Sequence, residues 1–280
     1  MKKCSRGKKN LFLNYIALLL VALALAGCSG NTEEAHGAEG QNEQDVPGDG
    51  NRTAENSGDL TPNMSMDETG FAGESAADAQ IDFPALKKEN PDIFAWIYIP
   101  ETIIDYPVLQ SEQADDFYEN HNAYAQDDDA GAIYIELANL TSMCDFNTVL
   151  HGRTGADGEG PFADLYRFAD PDFFEEHENI YLYLEDNVLT YEIFAAYERE
   201  DTSLLRTYDF TYLEGCEKFL KDLYGTRELS MNLREGWEGV TPYHFLITLT
   251  TRREEADRQF VVVAILTQDA AGTIDRIVAE

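Results

Sequence analysis

The sequence predicts a mainly β fold, a closed or nearly closed β-barrel of about eight strands with short peripheral helices, and three observations predict it. Apolar runs rich in Ile, Val, Leu, Thr and Tyr recur from residue 96 to residue 266, each bounded by turn residues and too short for a buried helix. Helical spacing is confined to short stretches, the best of them carrying Leu213, Cys216, Phe219, Leu220 and Leu223. Near the C-terminus, residues 245–266 place two apolar runs on either side of the charged segment 252–259, the pattern of neighbouring strands joined by a short loop. The second of these runs, 260–266, is apolar at nearly every position. That strand is expected to be buried on both faces and to lie in the middle of the sheet.

The N-terminal region reads as targeting and tether. Lys2, Lys3, Arg6, Lys8 and Lys9 precede an apolar stretch, residues 11–25, that is short for a membrane span, and Leu25-Ala26-Gly27-Cys28 follows. This pattern resembles a bacterial lipobox. The resemblance implies a signal peptide over residues 1–27, lipid on Cys28, and attachment to the outer face of the bacterial cell membrane without a span. Residues 28–80 are rich in Gly, Asn, Ser, Ala, Glu and Asp and poor in aliphatic residues, so they are expected to form a disordered acidic tether. Acidic residues outnumber basic ones 53 to 20, a net charge of -33, which excludes nucleic acid as a natural partner.

Residues 81–268 read as one folded domain, followed by a C-terminal tail, 269–280. Residues 83–88 start a short helix that Asn90-Pro91-Asp92 is expected to restart. Residues 96–99 and 103–109 give the first two strands, with Pro107 marking an edge or a bulge in the second. The run Asp127-Asp128-Asp129 lacks the spaced donors of a calcium loop and reads as a solvated turn. Residues 131–135 and 147–151 are the third and fourth strands, and the fourth opens into the loop 152–158. Two short helical pieces come next, the second signalled by Asp170 as cap and Pro171 at its first position. Strands 180–184 and 189–198 pair across the turn 185–187, a helix spans 212–223, and the C-terminal pair of strands closes the sheet. Of four cysteines, Cys4 belongs to the signal peptide and Cys28 is the expected lipidation site, and pairing of Cys144 with Cys216 is left open. No CxxC or His cluster indicates a metal, and no cofactor is expected.

Several stretches, in order along the domain, resemble class B sortases. They include Asn90-Pro91-Asp92 with Trp96-Ile97, Ile104-Asp105-Tyr106-Pro107-Val108, Asn120-His121-Asn122, Gly131-Ala132-Ile133-Tyr134, Asn147-Thr148-Val149 with Gly152, Phe162-Ala163-Asp164-Leu165, and Leu249-Thr250-Thr251 before Val261-Val262-Val263. The resemblance implies a sortase-type barrel and thiol transpeptidation at a bacterial surface: a Cys at the end of the penultimate strand attacks a sorting-signal carbonyl, a His after the fourth strand protonates the leaving amine, and an Arg opening the last strand steadies the oxyanion.

At those positions this chain departs from the pattern. The aromatic-Gly-His of the family reads His151-Gly152-Arg153, and its Leu-Ser/Thr-Thr-Cys reads Leu249-Thr250-Thr251-Arg252. The third position falls on Gln259, with Arg258 one residue earlier, able to serve only if a bulge re-aims it. A guanidinium is neither a nucleophile nor a proton shuttle. The expectation is therefore a catalytically inactive member that binds a peptide or an anionic cell-wall ligand through Arg153, Arg252 and Arg258, beside His151 and Thr251. Two alternatives stand. Chemistry could be relocated to Thr250, Thr251, Cys144 or Cys216 with His151 as displaced base, or the chain could be an assembly or regulatory partner of an active sortase or of its substrate. Against anion binding stands neutralisation of Arg252, Arg253 and Arg258 by Glu254, Glu255 and Asp257.

Overall fold

The computed structural model describes residues 81–155, 158–226, 231–252 and 257–275. The signal peptide, Cys28, the tether, Arg253, Glu254 and Glu255 lie outside the described residues.

Helix α1 (Phe83–Glu89) opens on Asp82, whose side chain accepts from the Ala85 N–H at 2.9 Å, with a proline in its first turn. It does not restart at Asn90. Pro91 disfavours helical backbone at the residue before it, and Asn90 instead ends the helix: its N–H donates to Leu86 O and its side chain donates to Tyr118 Oη at 2.7 Å and Ala123 O at 2.9 Å. Strand β1 (Ile93–Tyr98) therefore begins three residues before the predicted strand.

The remaining strands are β2 (Asp105–Leu109), β3 (Ile133–Ile135), β4 (Asn147–His151), β5 (Asn179–Leu184), β6 (Asn187–Glu200), β7 (Asn232–Leu233), β8 (Leu246–Thr251) and β9 (Arg258–Asp269). Their order is β5-β1-β2-β3-β4-β8-β9-β6-β7, and a further pairing of β5 with β6 closes eight of them into a mixed barrel. Only β2–β3 and β4–β8 run parallel; the other named pairs are antiparallel. Pro107 sits where the sequence expects. β3 reaches only Val108 and Leu109, so Pro107 has no ladder partner on that side, and the opposite strand carries an irregularity between Ile93 and Ala95. Strand β6 is longer than predicted and breaks register twice against β9, which lets a long strand coil around the barrel.

Short helices decorate the outside: 3-10 turns at Phe117–Glu119 and Ala163–Ala169, then α2 (Pro171–Glu176), α3 (Leu204–Thr207) and α4 (Leu213–Gly225). Asp170 caps α2 as predicted, accepting from the N–H groups of Asp172 and Phe173. Helix α3, which hydrophobic spacing alone does not reveal in four residues, is capped by Ser203.

The barrel interior holds Ile97, Ile133, Leu150, Leu249 and Val262 among others, and a second apolar cluster lies between the outer strand faces and α4. Strand β9 serves both. Phe260, Val262 and Ala264 point inward, while Val261, Val263 and Ile265 pack under α4, which is why its sequence shows no alternation. Cys216 is a buried thiol on the inner side of α4, donating to Phe210 O at 3.6 Å, so it does not pair with Cys144. Beyond β9, Asp269 and Asn187 tie residues 271, 272 and 274 back to the β5–β6 turn.

Candidate functional site

The parallel pair β4–β8 sets the site. In register, Leu150 lies beside Leu249 and His151 beside Thr250, so the outward row of one strand continues the outward row of the other. Tyr134 on β3 is the next partner of His151. These side chains border a cleft of about 240 Å³ at the C-terminal ends of β4 and β8, walled by Glu119 on one side and by Asp201 and Leu204 on the other.

His151 ends β4. Its ring stacks on Tyr134 at 5.1 Å between centroids, and Nδ1 lies 3.1 Å from Thr250 Oγ1. Nε2 lies 3.3 Å from Glu136 Oε1, a charge contact that is off line for a directed hydrogen bond. Contact with the His151 ring holds the Glu136 carboxyl below its ordinary value, with burial working the other way. Burial, followed by Glu119, Glu136 and Asp116, pushes the Tyr134 hydroxyl up, with Arg252 opposing, so Tyr134 remains a donor.

Arg153 does not share the strand face of His151. The strand ends at His151, the Gly152 N–H closes the ladder on Thr250 O, and the chain turns away. The Arg153 guanidinium then reaches the far wall, donating to Asn120 Oδ1 at 2.8 Å and Glu119 O at 3.3 Å. Arg252, just past β8, bridges the walls: Nη2 donates to Glu119 Oε1 and Nη1 to Asp201 Oδ2, both at 3.1 Å. Burial pulls its basicity down, but these two carboxylates more than reverse that and hold it above the ordinary value. Asp257 is not its partner, and neutralisation comes from two acids far away in sequence.

Thr251 borders the cleft, but its hydroxyl points the other way, 2.8 Å from Thr154 Oγ1, which in turn donates to Phe162 O. Gln259 is buried at the cleft edge and donates to Glu200 O and Thr202 O, holding the wall that carries Asp201. Arg258 faces away, as one residue of strand slip demands, and donates to Glu198 O. It does not line the cleft, so convergence of arginines is limited, among the described residues, to Arg153 and Arg252. Cys144 is buried before β4 and is disulfide-bonded, so it carries no thiol, and it too lies outside the cleft.

Sequence reading missed Glu119, Glu136 and Asp201. Glu119 reaches the site from the end of a 3-10 turn and Asp201 from the bend after β6, and no periodic signal marks them. Glu136 was findable only with the β3–β4 register in hand, since it lies two residues beyond Tyr134.

No family model matches the chain. Sortase B of Listeria monocytogenes is 38% identical over 131 residues, 46% of this chain and 49% of the relative, so the chain spans about half of that protein. The crystal structure of Clostridium perfringens sortase B superposes with a TM-score of 0.58 at 28% identity, covering 66% of this chain and 99% of the other. A Staphylococcus aureus sortase B–substrate complex gives a TM-score of 0.58 at 25% identity over 66% of this chain and 84% of that one.

Proposed function

We propose that the chain is a lipid-anchored, extracytoplasmic member of the class B sortase family that holds an extended peptide in the cleft at the ends of β4 and β8 and performs no thiol transpeptidation. Arg252 carries this reading. Where the family resemblance calls for a nucleophilic thiol stands a guanidinium bridged to Glu119 and Asp201, a group with donors and no lone pair for attack. The position of the family's His is occupied by Arg153, already engaged with Asn120. None of the described residues lining the cleft is a cysteine.

The geometry favours a peptide over a small free anion. Both cleft guanidiniums already have oxygen acceptors, so an anion would have to displace Glu119 and Asp201, whereas an extended peptide needs only a groove beside strand ends and scattered polar partners. The substrate complex of the S. aureus relative supports a peptide as the ligand class.

The test uses the full chain, a set of fluorescent sorting-signal peptides, and an Arg252→Cys/Arg153→His double variant. The expected result is saturable peptide binding by the natural chain, with no cleavage that thiol alkylation blocks, and binding retained in the variant. Thiol-sensitive cleavage by the natural chain, or no binding to any peptide of the set, overturns the reading.

A further inference from the structure

We infer that Thr250 and His151, which line this cleft, form with Glu136 beside the His151 ring a hydroxyl-based acyl-transfer site, with Thr250 as nucleophile, His151 as general base and Glu136 as the group that positions the imidazole. The inference goes beyond peptide binding and rests on that reading only for its substrate, the carbonyl of a bound peptide.

Two neighbouring strands, β4 and β8, supply His151 and Thr250, and the residue just after β3 supplies Glu136. Because His151 and Thr250 are register partners in the β4–β8 ladder, their contact alone would be unremarkable. The position of Glu136 is not explained by that ladder. It follows β3, the strand on the other side of His151, and sets its carboxylate 3.3 Å from Nε2, the nitrogen that does not face Thr250. A carboxylate accepts only, so it favours the tautomer with the proton on Nε2, and Nδ1 is left with its lone pair toward Thr250 Oγ1 at 3.1 Å. Nucleophile, base and orienting acid thus occur in the order a serine-type triad uses, with the two ring nitrogens exchanged. Stacking of the ring on Tyr134 fixes its plane. Thr250 and His151 both border the cleft, so the hydroxyl is buried in the fold yet faces the space where a peptide would lie. The thiol-free strand end and the hydroxyl one turn of the pleat earlier share one outward face, since Thr250 and Arg252 are two residues apart.

The step balances within these groups. Thr250 Oγ attacks the carbonyl carbon, the C–O bond forms, and the hydroxyl proton passes to His151 Nδ1. The resulting imidazolium is held by Glu136 and returns the proton to the leaving amine as the C–N bond breaks. Water, deprotonated by the same nitrogen, then cleaves the Thr250 ester and restores the hydroxyl.

A fluorophosphonate probe tests this, since its phosphorus forms a bond to an activated hydroxyl oxygen and expels fluoride. The full chain is expected to gain one adduct, mapped to Thr250 by peptide mass. Thr250→Ser should label at least as fast, Thr250→Val should not label at that position, and His151→Gln should slow labelling by about 100-fold or more. Glu136→Gln should slow it by about tenfold or more, with Glu136→Asp restoring part of the rate, a recovery that a purely structural role would not produce. Melting curves check that each variant is folded. Absence of an adduct on the folded natural chain, or an adduct unchanged in Thr250→Val or His151→Gln, overturns the inference. Peptide binding measured on the same preparation separates the two ideas: binding without labelling removes the acyl-transfer site and leaves the peptide-binding reading intact.

Discussion

The outer face of β4, β8 and β9 has two halves that differ in their side chains and in what lies over them. Toward one end, Val149, Leu246, Val263 and Ile265 are sealed beneath α4, against Phe219, Leu220 and Leu223. Further along β4 and β8 the outward positions are His151 and Thr250, with Arg252 just past the end of β8, and the cover is replaced by an open cleft with acidic walls. The backbone ladder is continuous through both halves. What changes is the chemistry of the last outward positions. A rigid sheet fixed by apolar cover at one end can hold polar groups at the other within hydrogen-bond distances, because the strands that carry them cannot move independently. This comparison predicts a division of labour: substitutions under α4 should alter stability without altering the cleft, and substitutions in the cleft should do the reverse.

The largest effect is expected from Phe219→Ala. The ring is 1% exposed and meets Tyr208 and Phe210 edge-on at 5.4 Å between centroids. Truncation should cost about 3–5 kcal/mol, read from the urea midpoint. Peptide affinity of the folded fraction should stay unchanged, and a parallel loss of affinity would show that the two halves are not independent.

Gly152→Ala is the substitution that should couple them. An added Cβ would lie 2.5 Å from the ring of Phe162, which is fully buried and has no room to yield, at the point where β4 gives way to the cleft. The overpacking should cost about 1–3 kcal/mol and also lower peptide affinity, because the turn that sends Arg153 to the far wall begins there. Affinity preserved at reduced stability would place the strain entirely in the barrel.

How much of this was legible beforehand follows the same division. The covered half is written in local patterns: the unbroken apolar run of β9, the helical spacing of Cys216, Phe219 and Leu223, and the cap at Asp170 all give their elements from neighbouring residues alone. The cleft is assembled across sequence distance. Arg252 was visible as the strand end, but its partners Glu119 and Asp201 lie on a 3-10 turn and a bend whose positions no periodicity encodes. Likewise the orientation of Arg153 depends on where β4 stops, and a one-residue uncertainty there moves a side chain to the other face. The restart of α1 at Asn90 failed for a mixed reason: Pro91 and the Asp92 N–H bond to Asn90 Oδ1 are local, while the Asn90 side-chain bonds to Tyr118 and Ala123 come from far along the chain.

A smaller effect on stability is expected from Glu136→Gln and should depend on pH. The Glu136 carboxyl is held below its ordinary value of 4.5 by the His151 ring, against the opposing pull of burial. The folded chain then binds fewer protons than the unfolded chain between the two values, so the contribution is complete above 4.5 and lost as pH falls through the folded value. Natural chain and variant should differ in urea midpoint near pH 7, and the gap should close as pH falls below 4.5 and through the folded value. A gap of equal size at both ends would mean that ring and carboxylate do not share charge.

The smallest stability effect should come from Arg252→Ala, and it sharpens the comparison most. The guanidinium is half-exposed, with 52% of its side chain accessible, and its two ion pairs are open to solvent and salt. Removing it should change stability by no more than about 1 kcal/mol, with the difference shrinking as salt is raised. Peptide affinity should change by more than this stability loss can account for, because the same residue joins the wall bearing Glu119 to the wall bearing Asp201, and without it the cleft has two unpaired carboxylates facing each other. Denaturation and binding titrations on one preparation, each at low and high salt, give both numbers. Stability and affinity falling in step would make Arg252 a structural brace of the barrel. A large affinity change at nearly constant stability would mark it as part of the surface that meets the ligand, the opposite signature to Phe219→Ala on the same face of the same strands.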